Sequence, residues 1–124
     1  NDKQFSSGLV SYKFFSVHGK VKFCQVIYDT ECYDEQKSQI YETNGWIQCP
    51  GYILKNEGRM KIPQPTSLMK MLEVVERLSS EISFCRVDLY EYHGRVYFSE
   101  MTLMPAGRIN NFSQELLCLI GKNI

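Results

Sequence analysis

Arg86, Asp88 and Glu100 fall within Phe84 to Gly107, the stretch FCRVDLYEYHGRVYFSEMTLMPAG, and are residue types that could do chemistry if they share one face. Two carboxylates and a cation on one surface suit a hard divalent metal. Mg²⁺ takes oxygen ligands, usually one or two carboxylates together with the phosphates of a nucleotide. A neighbouring arginine would grip a phosphate or a substrate carboxylate through paired hydrogen bonds. Burying such charges among apolar strands is costly unless they are paired or bind a metal. The plainer alternative is a solvated sheet face with an Arg86–Glu100 cross-strand pair.

The elements that position these residues read as a hairpin. Val87, Leu89 and Tyr90 on one side, and Val96, Tyr97 and Phe98 on the other, have strand composition, with Tyr92-His93-Gly94 as the turn. The turn decides whether the carboxylates meet. A two-residue loop at His93-Gly94 sets Tyr92 against Arg95 and Asp88 against Ser99, which turns Glu100 to the other side of the sheet. A three-residue loop, with Tyr92-His93 in a type I turn and Gly94 left-handed, pairs Glu91 with Arg95 and Arg86 with Glu100. Arg86, Asp88, Glu100 and Thr102 then line one face. Gly94 reaches positive φ without steric cost, so the three-residue loop is the expectation.

The run RVDLY…GRVYFSEMTLMPAG resembles the last catalytic strands of ATP-grasp enzymes, where R-x-D and a later E-x-N carry the magnesium site. It is closer still to the TupA-like ATP-grasp family of bacterial surface-polysaccharide synthesis. Ser11-Tyr12-Lys13-Phe14-Phe15, followed by His18-Gly19-Lys20, fits that family's D-Y-K-F-F…N-G-K run. Phe84-Cys85-Arg86-Val87-Asp88-Leu89-Tyr90 fits its F-x-R-V-D-L-Y.

The resemblance implies an α+β fold, an antiparallel sheet of hairpins packed against two helices as in the C-terminal ATP-grasp subdomain. It implies ATP and Mg²⁺ as cofactors, a small-molecule or glycan acceptor, and Asp88, Glu100 and Thr102 as metal ligands. Arg86 is then a catalytic and phosphate-contacting residue, Lys13 approaches the nucleotide, and Lys37 reaches its terminal phosphate. Ser11 departs from the family's Asp and takes no role. No Gly-rich phosphate loop precedes Ser11, so the expectation is a C-terminal catalytic portion, residues 1–124 forming one domain that works with an N-terminal ATP-grasp subdomain. Surface left apolar without that subdomain would favour self-association. Two other readings are a non-catalytic binding module and a polysaccharide-cluster glycosyltransferase, the latter without a sugar-nucleotide motif to support it.

Composition sets the outer limits. The 124 residues are 44% hydrophobic and 23% charged, ordinary globular values, enough for one core. Lysine and arginine balance aspartate and glutamate at 14 each, which leaves no basic footprint for nucleic acid. Five cysteines, odd in number and without C-x-x-C spacing, argue against a disulfide framework or zinc site. Free thiols in a reducing cytoplasm are the simpler expectation. No apolar run approaches the ~18 residues of a membrane span.

Elsewhere, Leu9 to Val17 and Lys20 to Tyr28 read as two strands joined at His18-Gly19, a second hairpin with an H-G tip. Both histidines, His18 and His93, read as turn residues. Asp29 to Pro50 reads as a polar loop of the length used for lids, anchored by Trp46. A helix capped by Thr66 or Ser67 runs to about Leu78 on the stripe Leu68, Met71, Leu72, Val75 and Leu78, with Met69 and Met71 taken as core. Ser113 caps a last helix from Gln114 to Ile120, stopped by Gly121. Arg108 is read as a loop arginine.

Overall fold

The computed structural model describes residues 10–29, 36–103 and 113–121. Its strands are β1 (Ser11–Val17), β2 (Lys20–Asp29), β3 (Gln36–Glu42), β4 (Ile47–Gln48), β5 (Phe84–Tyr92) and β6 (Arg95–Leu103). Helix α1 (Leu68–Leu78) lies between β4 and β5, and α2 (Gln114–Gly121) follows β6. The strands form one antiparallel sheet in the order β4-β3-β2-β1-β5-β6. This is the expected α+β arrangement.

Strand alternation divides the side chains between two faces. Tyr12, Phe14, Cys24, Val26, Tyr28, Tyr41, Val87 and Leu89 pack on one face with Leu68, Met71 and Val75 of α1. The other face carries a smaller cluster of Phe15, Phe23, Ile40 and Phe84, joined by Ile53 and by Leu116 of α2. Leu78, expected at the end of the stripe, is 45% exposed; Met71 is fully buried as expected, but Met69 is 79% exposed. One residue beyond Leu68, it has turned off the α1 stripe.

Both H-G tips form two-residue turns with both central residues at positive φ, 49° and 77° at His18-Gly19 and 52° and 75° at His93-Gly94. That is the type I′ pattern, whose twist matches the flanking strands. The expected three-residue loop at Tyr92-His93-Gly94 is therefore wrong, and Tyr92 faces Arg95. Of the two tip glycines, Gly19 is the more closely confined. A Cβ there would sit 3.3 Å from the Ser80 backbone, because the tip docks on the end of α1.

The stretch expected to be a loop from Asp29 to Pro50 contains β3. Ser38, Gln39, Ile40 and Tyr41 are all buried in it. Gln39 is held by a polar network: it accepts from the Tyr28 hydroxyl at 2.6 Å and donates to the Met60 carbonyl at 2.7 Å. Tyr41 stacks on Trp46 at 4.6 Å, and the Trp46 indole N–H donates to the Ile62 carbonyl. Trp46 anchors this segment to the core, as expected.

Helix α1 starts at the expected place with a different cap. Ser67 is the N-cap residue, but no side chain of its own caps the helix. Glu91 of β5 accepts from the Ser67 backbone N–H and from the Thr66 hydroxyl, each at 2.7 Å. A carboxylate also suits the positive end of the helix dipole. At the other end, the buried hydroxyls of Ser16 and Ser79 lie 2.6 Å apart and join β1 to α1.

Burial works to raise the Glu91 carboxyl, but the hydrogen bonds from Ser67 and Thr66 outweigh it and hold the group below its ordinary value of 4.5. A depressed carboxyl stabilises the fold fully above its unfolded value and loses that contribution as pH falls through its folded value. Glu91→Gln should therefore cost about 1 kcal/mol at neutral pH. The gap to wild type should close below pH 4.5. Urea unfolding across that range measures it, and a gap independent of pH would contradict this role.

Candidate functional site

Lys13 lies opposite Asp88 across the β1–β5 pairing, and Asp88 lies opposite Glu100 across β5–β6, so the three charges line up across neighbouring strands. Arg86 and Thr102 face each other one step along the same face. The meeting of Asp88 and Glu100 depends on a bulge. A two-residue turn alone would oppose Asp88 to Ser99, but the pairing shifts between Asp88 and Leu89, and Ser99 becomes the extra residue on β6. The expected shared face of Arg86, Asp88, Glu100 and Thr102 thus forms, with its one-residue correction inside the strand and not at the tip. Bulges are common beside active sites because they re-aim side chains.

Asp88 is 2% exposed and its carboxylate is fully engaged. Lys13 Nζ donates to Oδ2 at 2.8 Å. Arg86 donates through Nε to Oδ1 at 2.8 Å and through Nη2 to Oδ2 at 3.0 Å. The side chains of Lys13 and Arg86 are 19% and 23% exposed, so both cations reach the surface of the sheet face. Glu100 is exposed, and its described contact is a long one, 3.5 Å from the Thr102 hydroxyl. Asp88 is therefore a structural centre as well as a candidate ligand, whereas Glu100 is held only lightly.

The chemistry of this donor set fits a hard divalent cation of the two-carboxylate kind. Asp88, Glu100 and Thr102 offer oxygen atoms only, and among the described residues no three of His, Cys, Asp and Glu gather as a closed protein cage would require. A cation there would draw its remaining ligands from phosphates or water. Burial pushes the Cys24, Cys49 and Cys85 thiols up, away from nucleophilic thiolate.

Lys37 is not brought to this cluster. It pairs with Tyr28 in β3, so alternation places it on the α1 face, opposite the one that carries Asp88. Arg108 lies outside the described residues.

Two features of the face escaped the sequence reading. Gln25, opposite Lys13, donates to the Ser38 hydroxyl at 3.3 Å and extends the polar strip to β3. Beyond Asp88, Tyr90 and Tyr97 stack at 5.3 Å with planes 15° apart. A glutamine inside Phe23-Cys24-Gln25-Val26-Ile27 was the available sign of the first. The second needed the correct register.

An antiparallel sheet with a helix on one face and paired charges on the other defines an α+β domain with a charged, ligand-accessible sheet face. The family model for TupA-like ATPgrasp matches residues 1–124, and the chain belongs to that family. No curated protein and no solved structure matches it. Among the described residues, no helix is long and apolar enough to cross a membrane.

Removing the Asp88 charge should leave Lys13 and Arg86 facing each other without a counter-ion. Asp88→Asn is expected to cost roughly 2–3 kcal/mol in urea unfolding, and Lys13→Met added to it should recover part of that loss. An Asp88→Asn protein as stable as wild type would contradict the structural role.

Proposed function

We propose that this chain forms the metal- and phosphate-binding part of an ATP-dependent, ATP-grasp-type carboxylate ligase acting in bacterial capsular or cell-wall polysaccharide assembly. The observation that carries this reading is the buried Asp88 carboxylate, held by Lys13 and Arg86 and set opposite Glu100. Family membership supports the nucleotide. The cytoplasm, where ATP is available, is the proposed location, and a second ATP-grasp subdomain is the proposed opposite wall of the cleft.

In this chemistry the terminal phosphoryl group of ATP passes to a carboxylate oxygen of the substrate. ADP leaves, and an amine or other nucleophile then displaces phosphate from the acylphosphate. Asp88 and Glu100, with Thr102 beside them, would hold Mg²⁺, which neutralises phosphate charge when bound. Lys13 and Arg86 supply fixed positive charge for the phosphoryl oxygens, and such preorganised charge is usually a large part of phosphoryl-transfer catalysis. The ion pairs around Asp88 suggest how the site is kept ready. Incoming phosphates compete for Lys13 and Arg86: Arg86 turning toward them frees Asp88 Oδ1, and Oδ2 is freed when both cations turn.

Glu100 is the cleaner probe, because its loss removes a candidate ligand without breaking the buried ion pairs. Calorimetric titration of MgATP into the full-length protein should show saturable binding. Glu100→Gln should weaken it by at least about tenfold with the fold unchanged by circular dichroism. Equal affinity in the variant, or no binding by wild type, would sink the reading.

A further inference from the structure

On the same sheet face as Asp88, toward the His18-Gly19 tip, Phe15, Val17, Phe23 and Leu119 line a cavity of about 300 Å³. Its remaining lining residues are His18, Lys20 and Lys22. Ligand pockets span roughly 300–1,000 Å³, so this one suits a small ligand, about ten water volumes at ~30 Å³ each.

The cationic side is built by the fold. Consecutive residues of a regular strand point to opposite faces, yet Lys22 and Phe23 both line this cavity. The pairing of β1 with β2 shifts between Phe15 and Ser16, leaving Lys22 as an extra residue, and a bulge of this kind brings two neighbours to one side. Neither Lys20 nor Lys22 makes an ion pair among the described residues, and both are exposed. The cavity thus joins apolar walls to two exposed lysines that form no ion pair among the described residues. Phe15 lies opposite Arg86, so the cavity adjoins the Asp88 cluster, none of whose residues lines it.

We infer that this cavity binds a small apolar molecule with an anionic head, a carboxylate or a phosphate. The apolar body fills the space between Phe15, Val17, Phe23 and Leu119, and Lys20 and Lys22 hold the head.

Calorimetric titration of the full-length protein with octanoate, octyl phosphate and 1-octanol, each below its aggregation concentration, tests the assignment. At least one anion should bind, and the tighter one identifies the head group. Octanol should bind at least about tenfold more weakly. Lys20→Ala/Lys22→Ala, two surface changes, should lower the anion's affinity by about tenfold. Val17→Trp, which fills the cavity, should abolish binding. Octanol binding as tightly as either anion, an unchanged affinity in the lysine double variant, or no binding of either anion by wild type would overturn the proposal.

Discussion

The Asp88 carboxylate, 2% exposed and shared between a lysine and an arginine, is the constraint around which this sheet is arranged. A lone buried carboxylate would cost several kcal/mol, and it is tolerated only with charged partners in good geometry. Arg86 comes from two residues back on the same strand. Lys13 comes from 75 positions away, and it reaches Asp88 only if β1 pairs with β5 in one register. A slip by one residue would turn Lys13 to the apolar face and leave Asp88 short of a counter-ion. The ion pair and the strand pairing therefore specify each other.

The two faces of the sheet do different work. One is a conventional core, with α1 laid across it and Glu91 tying the start of that helix to β5. Its polar atoms are satisfied, as at Gln39 between Tyr28, Tyr41 and Met60. The opposite face has a buried apolar cluster where Phe15, Phe23, Ile40 and Phe84 meet α2. Away from that patch it carries the charges. Two bulges shape this second face: Ser99 sets Glu100 against Asp88, and Lys22 brings a cation to the cavity beside Phe23. Each bulge follows an H-G tip by a few residues, so tight turns and in-strand corrections occur as pairs in both hairpins.

Much of this was legible in the amino-acid sequence. The hairpins, the α1 stripe and the common face of Arg86, Asp88, Glu100 and Thr102 follow from alternation and helical spacing. The turn departs from the expected three-residue loop at His93, which takes positive φ and closes a two-residue loop. The shared face survived only because Ser99 restores the register, and Val96 to Met101 contains no local sign of a bulge. Strand β3 was missed because Ser38 and Gln39 are polar yet buried, and their hydrogen-bond partners on β2 and beyond β4 are invisible to a local pattern. The Glu91 cap and the Lys13–Asp88 pair were hidden for the same reason. Each joins residues distant in the chain.

The most direct test of the account is a crystal structure of the full-length protein with Mn²⁺ and ATP, with the metal located by its anomalous scattering. Manganese is expected to be ligated by the Asp88 and Glu100 carboxylates and by phosphate oxygens, with Lys13 or Arg86 turned from Asp88 toward the phosphates. Nucleotide bound elsewhere, or manganese absent from this face while Asp88 keeps both cations, would contradict it.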